Sequence, residues 1–291
     1  MAKEVPRQAV ILVAGESSRF VPFQRDCHKS TFSIFGEPLI VQTVRALRNA
    51  GVKKIEIVIS PKDEVIRKLI ETPQLGVDIN FHLQEKPLGI GDVVRVCEEY
   101  IKGDRFVFHL GDNIFTQGIK EYTESFLKGK SNGLVTMVHH SENSRMGIPY
   151  FDKKGRLIKY VEKPKNPPHD FAVPGLYYFD SSVFEAFNGK DKVKPSDRGE
   201  YEISSLYQWL IDHKFRVDVL EYKGKWLDPG KFNDWIEANQ YLLDLKTNGE
   251  VKSKLGSGTS LQGRVSVGKK CEILNSQIRG PVVVGDGVTI K

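Results

Sequence analysis

The alternation of short apolar runs with amphipathic segments is the feature that most constrains the fold of this chain. Residues 10–13, 54–59 and 105–110 are short apolar runs of the kind that form buried strands. Residues 42–50 and 64–71 carry apolar side chains at helical spacing. Alternation at these short intervals builds a parallel sheet with helices on both faces. We therefore predict an α/β fold with a Rossmann-like, mixed, mostly parallel sheet, whose ligands bind at the carboxyl ends of the strands.

Shorter apolar runs follow, and they predict strands and helices that extend this sheet. The further strands are predicted at 77–83, 134–139, 148–151, 157–162, 175–179 and 216–221, and the further helices at 91–100, 202–211 and 232–245. The polar stretch 247–250 breaks the last of these helices. The pattern thus predicts a main domain at 1–245 and a separate tail at 246–291.

The tail carries a different period. Two series of apolar residues stand six apart, the second offset from the first by one residue: Leu261, Val267 and Ile273, then Ile278, Val284 and Ile290. A hexapeptide period is typical of a parallel β-helix in which each of three faces takes one repeat. We predict the start of such a β-helix, either truncated or naturally brief, and a loose antiparallel β tail is the alternative. A solenoid this short cannot bury its own core, so it should lean on the main domain or on a neighbouring molecule. We also expect a homo-oligomer.

Charge and composition exclude several classes of function. Of the net charge of +6, the tail carries +5 and the first 245 residues only +1. The main domain has no basic face interleaved with aromatic residues, so we expect no nucleic-acid partner. No segment approaches a membrane span, the N-terminus lacks the apolar core of a signal peptide, and three cysteines at unrelated spacings disfavour a disulfide framework or a zinc site. We therefore expect a cytoplasmic protein without a membrane partner.

The first strand leads into a loop of small and basic residues. Its sequence is Ala14-Gly15-Glu16-Ser17-Ser18-Arg19, and Lys29 follows ten residues later. Small residues let backbone N–H groups approach an anion, and the basic side chains can close over it. The pattern predicts a phosphate-binding loop, and a plain strand-end turn with a solvated arginine is the alternative.

Two aspartates, far apart in the chain, follow apolar segments. Asp112 stands in Leu-Gly-Asp-Asn at the end of a predicted strand, and Asp228 stands in Trp-Leu-Asp-Pro-Gly. Mg²⁺ in nucleotide sites prefers one or two carboxylates together with phosphate oxygens and water. Each aspartate alone is better explained as a turn former or a helix cap, but together they are candidate ligands for Mg²⁺.

These motifs resemble those of the sugar-1-phosphate nucleotidylyltransferases, the glucose-1-phosphate thymidylyltransferases and uridylyltransferases in particular. Six motifs occur in the family order, among them the loop with Arg19 and Lys29 at the family spacing. The loop departs from the family where Ala14 and Ser17 replace glycines. A second departure follows the base-reading segment, where Gly91 and Asp92 stand at positions usually held by alanines.

The resemblance spans residues 8–240 and implies roles for individual residues. It implies a catalytic set of Arg19, Lys29, Asp112, Lys163 and Asp228, with Mg²⁺ on Asp112 and Asp228. It implies a nucleotide-binding set in which an amide reads the edge of uracil or thymine: Ala14, Gly15, Glu16, Ser17, Ser18, Gln84 and Gly89. It implies a sugar-phosphate set of Gly147, Glu162, Val173, Gly175, Tyr177 and Glu200. For the tail it implies a left-handed β-helix.

The reaction implied by the resemblance is transfer of a nucleotidyl group from dTTP or UTP to a sugar 1-phosphate, with glucose 1-phosphate as the expected acceptor. The sugar phosphate would attack the α-phosphorus in line and release pyrophosphate, without a covalent enzyme intermediate. Two alternatives stay open on the sequence alone. A regulatory homologue could bind a sugar nucleotide without turnover, as the altered loop suggests, and a scaffold protein could assemble through its tail.

Overall fold

The chain is described by a computed structural model. The described residues are 7–14, 28–61, 64–71, 75–101 and 105–291. Their contacts form two compact units: a larger one that extends to Gly230, and a smaller one made of Ile34–Gly36 and Lys231–Lys291.

The larger unit contains an eight-stranded sheet within the described ranges. The strands along this part of the chain are β1 (Gln8–Val13), β2 (Ser33–Ile34), β3 (Glu37–Pro38), β4 (Lys54–Ile59), β5 (Asp78–Leu83), β6 (Arg105–Leu110), β7 (Ile114–Phe115), β8 (Gly133–His139), β9 (Gly147–Phe151), β10 (Leu157–Glu162), β11 (Phe171–Ala172), β12 (Leu176–Asp180), β13 (Val217–Glu221) and β14 (Trp226–Leu227). Eight of them form the sheet, whereas β2 pairs with β3, β7 with β14 and β9 with β10 in separate two-stranded ladders. The sheet order is β11-β8-β12-β6-β1-β4-β5, with β13 beside β8. Strand β1 is parallel to β4 and β6, and β4 is parallel to β5, whereas β12 is antiparallel to β6 and β8. The predicted mixed, mostly parallel sheet is confirmed.

Helices cover both faces of this sheet. They are α1 (Leu39–Asn49), α2 (Glu64–Glu71), α3 (Ile90–Val96), α4 (Lys120–Lys128) and α5 (Ile203–Asp212). Successive side chains of a strand point to opposite faces, so Ala9, Ile11 and Val13 of β1 share one core with α1, α2 and α4. Val10 lies in the other core, with α3 and α5. None of the helices within the described ranges is long and apolar enough to cross a bilayer.

Predicted and observed element bounds agree best where the pattern is local. Strands β4, β6 and β10 begin and end at the predicted residues. Helix α1 begins three residues earlier than predicted, because Pro38 precedes it and the apolar Leu39 and Ile40 are already buried in its first turn. Helix α3 ends at Val96, four residues before the predicted end.

The smaller unit combines one helix with short parallel strands. The helix is α6 (Phe232–Lys246), and the strands are β15 (Ser260–Gln262), β16 (Val265–Val267), β17 (Glu272–Ile273), β18 (Gln277–Arg279), β19 (Val282–Val284) and β20 (Thr289–Ile290). Strand β15 is parallel to β18, β16 to β19, and β17 to β20. The antiparallel alternative is therefore wrong for these strands, and assignment to the left-handed β-helix class stays a prediction.

Register explains the offset between the two hexapeptide series. Leu261 pairs with Ile278, Val267 with Val284 and Ile273 with Ile290. Each pair is separated by 17 residues, one fewer than three hexapeptides would give. Both series therefore occupy the same three faces, and the offset of one residue arises because one turn of the coil is 17 residues long instead of 18.

The division of the chain differs from the predicted boundary at 245/246. Helix α6 belongs to the smaller unit, which begins at Lys231. The guanidinium of Arg264 binds both the carbonyl and the carboxylate of Asp244 at the end of α6. Because these bonds tie α6 to the strands that follow it, the helix groups with the tail rather than with the main sheet.

Candidate active site

The predicted phosphate loop lies mostly outside the described residues: Gly15, Glu16, Ser17, Ser18 and Arg19. Ala14 is described and half-buried at the end of β1. The N–H of Gly111 donates to the carbonyl of Leu12 at 2.9 Å, and a Cβ at Gly111 would lie 2.8 Å from Cγ2 of Val13. Only glycine therefore lets the ends of β1 and β6 approach so closely, which places Ala14 beside the segment that carries Asp112.

Asp112 and Lys29 form an ion pair at this edge of the sheet. The Nζ of Lys29 contacts Oδ2 of Asp112, and about 14% and 15% of the two side chains are exposed. Burial by itself would raise the pKa of Asp112, but the Lys29 ammonium and hydrogen bonds from Lys29 and Asn113 outweigh it and hold the pKa below its ordinary value. The site thus keeps a charged carboxylate in a largely dehydrated place.

A short ladder brings the second predicted metal aspartate to the first. Strand β7 begins two residues after Asp112, and β14 ends immediately before Asp228. The two strands are antiparallel, with Ile114 opposite Leu227 and Phe115 opposite Trp226. An antiparallel ladder of this register places the residues before β7 next to those after β14. Asp112 and Asp228 therefore come from separate parts of the chain to one edge.

Asn113 fastens three segments of the site, a role that the sequence prediction missed. Its Nδ2 donates to Oδ1 of Asp112 at 2.8 Å, and its Oδ1 accepts from the N–H of Gly175 at 3.0 Å and from Nε1 of Trp226 at 2.7 Å. Only 4% of Asn113 is exposed. Asn113 is the last residue of the Leu-Gly-Asp-Asn motif, and that motif is the signal that could have drawn attention to it.

Tyr177 stands between the metal aspartates and the predicted sugar site. It is 4% exposed on β12. Burial raises the pKa of its hydroxyl well above the ordinary value, and the charges of Glu162, Asp112 and Asp228 raise it further. The charges of three predicted carboxylates from three segments therefore act on one phenol, which stays protonated and can donate a hydrogen bond.

Three of the predicted sugar residues lie side by side. Gly147 is paired with Glu162 across the β9–β10 ladder and bridged to Val173 on its other side. The N–H of Val173 donates to the carbonyl of Gly147 at 2.9 Å. A Cβ at Gly147 would overlap the ring of Tyr160, so glycine is required where these segments meet.

Glu162 and Lys163 form the polar end of this wall. Burial is the largest influence on Glu162 and raises the pKa of its carboxyl above the ordinary value; Lys163 opposes the shift and the nearby Glu202 adds to it. The Nζ of Lys163 lies 3.6 Å from Oε1 of Glu162. Lys163 has a φ of 47°, a left-handed conformation that is uncommon outside glycine, and its N–H donates to the carbonyl of Met146 at 2.9 Å.

The predicted base-reading segment is joined to the segment that carries Glu200. The N–H of Tyr201 donates to the carbonyl of Leu88 at 2.7 Å. Gly89 has a φ of 97°, and a Cβ there would lie 2.9 Å from Cβ of Glu200 and 2.7 Å from the carbonyl oxygen of Tyr201. Gln84 is buried at the end of β5, on the same edge of the sheet as Ala14 and Asp112. The described members of all three predicted sets thus gather along one edge of the sheet and its flanking wall.

The carboxylates present fit a divalent ion of the Mg²⁺ type. Among the described residues, no group of three or more His, Cys, Asp or Glu side chains could hold a metal by itself. Mg²⁺ does not need such a cage, because it usually keeps water and phosphate ligands beside one or two carboxylates. The charged Asp112, with Asp228 brought next to it by the β7–β14 ladder, supplies that donor set.

Comparison with known proteins gives a family and named relatives. A family model described as nucleotidyl transferase matches residues 8–244. The chain is 30% identical over 287 residues to the glucose-1-phosphate thymidylyltransferase of Streptomyces antibioticus, and the alignment covers 98% of this chain and 79% of that protein. It is 31% identical over 242 residues to the UTP glucose-1-phosphate uridylyltransferase of Haloferax volcanii, and the alignment covers 82% of this chain and 98% of that protein.

A solved structure shares the fold. The crystal structure of UDP-glucose pyrophosphorylase complexed with UDP-glucose superposes with a TM-score of 0.73 at 21% identity, covering 83% of this chain and all of that one. Identity this low supports the fold alone. The family model, however, covers most of the length of the chain, and the relatives extend over nearly all of it: this chain belongs to the nucleotidyl transferase family, a family of enzymes.

Proposed function

We propose that this protein catalyses the Mg²⁺-dependent transfer of a nucleotidyl group from dTTP or UTP to glucose 1-phosphate, which yields a nucleoside diphosphate sugar and pyrophosphate. The observation that carries the proposal is the meeting of Lys29, Asp112 and Asp228 at one sheet edge. The charges of Glu162 and of both aspartates also act on one side chain, the phenol of Tyr177. The names of the relatives supply the acceptor and the two nucleotides.

The residues of this chain act mainly by positioning and by neutralising charge. Lys163 holds the phosphate of the sugar so that its oxygen attacks the α-phosphorus in line, and Lys29, with Arg19 of the phosphate loop, balances the charge of the triphosphate. Asp112 and Asp228 would hold Mg²⁺, which neutralises charge on the phosphates when bound. No covalent intermediate with the protein is required.

Glu162 suits a partner that offers hydroxyl groups. A carboxylate can accept hydrogen bonds from two neighbouring hydroxyls, and a sugar ring presents such pairs. Burial raises the pKa of Glu162, and Lys163 keeps one positive charge beside it. A neutral polyol with a phosphate attached therefore matches both side chains at once.

The test is a pyrophosphate-release assay with glucose 1-phosphate and each of UTP, dTTP, CTP, ATP and GTP. We expect release with UTP or dTTP in the presence of MgCl₂ and none after chelation with excess EDTA, with activity restored by added MgCl₂. Release that needs no divalent ion would contradict the metal assignment. Binding of UDP-glucose without pyrophosphate release from any triphosphate would favour the non-catalytic homologue instead.

A matched acceptor series sharpens the sugar assignment. Glucose 1-phosphate, galactose 1-phosphate and N-acetylglucosamine 1-phosphate present the same phosphate with different ring substituents. If Glu162 reads sugar hydroxyls, we expect the acceptor KM to differ by at least tenfold across the series, whereas the nucleotide KM stays constant. Equal KM values for all three acceptors would contradict the role given to Glu162.

A further inference from the structure

The amide of Gln84 is held in one orientation. Its Nε2 donates to Oδ2 of Asp92 at 3.0 Å and, with a longer contact of 3.4 Å, to the carbonyl of Gly89. No hydrogen bond to its Oε1 occurs within the described ranges of the chain. Both amide hydrogens are thus engaged inside the protein, and the oxygen is the atom of this side chain left to a ligand.

Asp92 determines which way the amide faces. It is 2% exposed in the first turn of α3, where a negative charge is favoured by the helix dipole. Arg95 donates to its Oδ1 from Nε at 2.8 Å and from Nη2 at 2.6 Å. With Oδ1 taken by Arg95, Oδ2 faces Gln84. A carboxylate is an acceptor only, so the amide nitrogen of Gln84 must face it and the oxygen cannot.

Together these contacts point to a role for Asp92 in selecting the base. We infer that Asp92 is a positioning residue that fixes Gln84 as a hydrogen-bond acceptor, so that the site favours a pyrimidine with an N–H at position 3, uracil or thymine, over cytosine. The inference rests on the proposed function and on the role in reading the base that the family resemblance implies for Gln84. Cytosine carries a lone pair at N3 and would meet the amide oxygen with a second acceptor.

Asp92 also stands at a departure from the family pattern. A Gln amide free to rotate by 180° could offer either its oxygen or its nitrogen and would accept both pyrimidines. In this chain the buried carboxylate removes that freedom. Gly91, the residue before it, approaches the carbonyl of Tyr201 so closely that a Cβ would lie 2.8 Å away, so the start of α3 is tightly placed against the 200–202 segment.

The experiment compares UTP with CTP, which share ribose, triphosphate and ring size and differ at the edge in question. Equilibrium binding to the full chain is measured by calorimetry with MgCl₂ and without sugar phosphate, so that no turnover is needed. We expect wild-type protein to bind UTP at least tenfold more tightly than CTP. In Asp92→Asn, Arg95 retains the side-chain oxygen and an NH₂ group faces Gln84, so the amide turns over and the UTP/CTP ratio falls at least tenfold.

A double-mutant cycle separates positioning from a general structural effect. Gln84→Ala removes the acceptor, and in that background Asp92→Asn should leave the UTP/CTP ratio unchanged. Asp152→Asn is the matched control, because Asp152 is also paired with an arginine, Arg156, but in a turn far along the chain. We expect that control to bind both nucleotides as wild type does.

Three outcomes would overturn the inference: equal binding of UTP and CTP by wild type, an unchanged ratio in Asp92→Asn, or an equal change of ratio with and without Gln84. If Asp92→Asn fails to fold, wild-type protein still decides the question with 3-methyl-UTP, which lacks the N3 hydrogen; binding as tight as that of UTP contradicts the inference. The binding experiment and the pyrophosphate assay can fail separately. Selective UTP binding without pyrophosphate release would contradict the proposed function and still support the role of Asp92.

Discussion

The two ends of the site treat their carboxylates in opposite ways. At the nucleotide end, Asp112 is buried but contacts the Lys29 ammonium and the Asn113 amide, and its pKa lies below the ordinary value. At the sugar end, Glu162 is buried with weaker compensation, and its pKa lies above the ordinary value. The same functional group, a carboxyl, is therefore stabilised in its charged form at Asp112 and is more easily protonated at Glu162.

The proposed function offers a reason for this difference between the two carboxylates. A carboxylate that faces a cation and phosphates is useful only when it is charged, so partners that favour the charged form surround it. A carboxylate that faces sugar hydroxyls needs acceptor oxygens but no countercharge, so burial dominates its pKa. The comparison teaches that the environment of each carboxylate, rather than its residue type, distinguishes the two ends. The following predictions test that contrast, from the largest expected effect to the smallest.

Removal of the second metal aspartate should have the largest effect. We expect Asp228→Ala to lower kcat by about 10³-fold, because the loss of a preorganised electrostatic contact typically costs two to three orders of magnitude. Steady-state kinetics and the melting temperature are the measurements. Asp218→Ala, which removes an exposed carboxylate paired with Arg216, is the control and should keep full activity. Near-normal turnover in Asp228→Ala would remove this residue from the catalytic set.

Removal of the sugar-end ammonium should act on one substrate. We expect Lys163→Ala to lower kcat/KM for the sugar phosphate by about 10–100-fold, since a hydrogen bond to a charged group is worth about 1.5–3 kcal/mol. The nucleotide KM should change by less than about twofold. Lys159→Ala is the matched control, because Lys159 is an exposed lysine on β10, the strand that ends one residue before Lys163. A larger effect on the KM for the nucleotide than on the KM for the sugar phosphate would contradict the assignment of Lys163 to the sugar phosphate.

The raised pKa of Glu162 predicts a pH dependence. As pH falls through that raised pKa, Glu162 gains a proton and loses acceptor capacity, so the wild-type KM for the sugar phosphate should rise at a higher pH than an ordinary carboxyl would dictate. In Glu162→Gln, this additional rise should be absent. The difference between the two KM–pH profiles isolates Glu162 from the titration of the substrate phosphate. Superimposable profiles would contradict the assignment.

The same residue makes a prediction about stability. A carboxyl whose pKa is raised by folding stabilises the protein below its unfolded pKa and loses that contribution as pH rises through the folded pKa. Glu162→Gln should therefore melt at a temperature equal to or above that of wild type at pH 7, and the difference should shift against the variant at pH 4. If Glu162→Gln melted below wild type at pH 7 and above it at pH 4, the sign would be reversed and the prediction would be wrong.

Tyr177 lies between the two ends and should matter least. We expect Tyr177→Phe to lower kcat/KM by less than about fivefold, because one neutral hydrogen bond contributes about 1 kcal/mol. Initial-rate kinetics with both substrates measure it. A loss of a hundredfold or more would give the phenol a direct part in catalysis.

Local patterns in the sequence predicted much of the fold. The strands at 54–59 and 105–110 were identified because every residue that determines them lies within the run itself. Their alternation with helices was sufficient to predict the mixed sheet, since few other topologies bury such strands. The grouping of α6 with the tail could not be predicted, because the contacts between Arg264 and Asp244 join residues 20 positions apart, which no local pattern records.

Candidate site residues were found where family motifs named them and missed where only contacts do. Asp112 and Asp228 are each unremarkable in sequence, and the resemblance is what pairs them. Asn113 binds groups 62 and 113 positions away, and Asp92 acts through a side chain eight residues earlier. The contacts of Asn113 depend on which strands become neighbours, and the contact of Asp92 depends on how the chain folds between β5 and α3; neither has a spacing that the sequence by itself reveals.

The β7–β14 ladder has a consequence for the synthesis of the protein. A ribosome must complete nearly all of the larger unit before the segment containing Trp226 and Leu227 can reach β7. A nascent chain that ends before this point already contains most of the strands of the sheet but lacks one of the two carboxylates proposed to bind the metal. If the proposed metal site is correct, completion of this site is therefore coupled to completion of the larger unit, and a shorter translation product would lack the proposed activity.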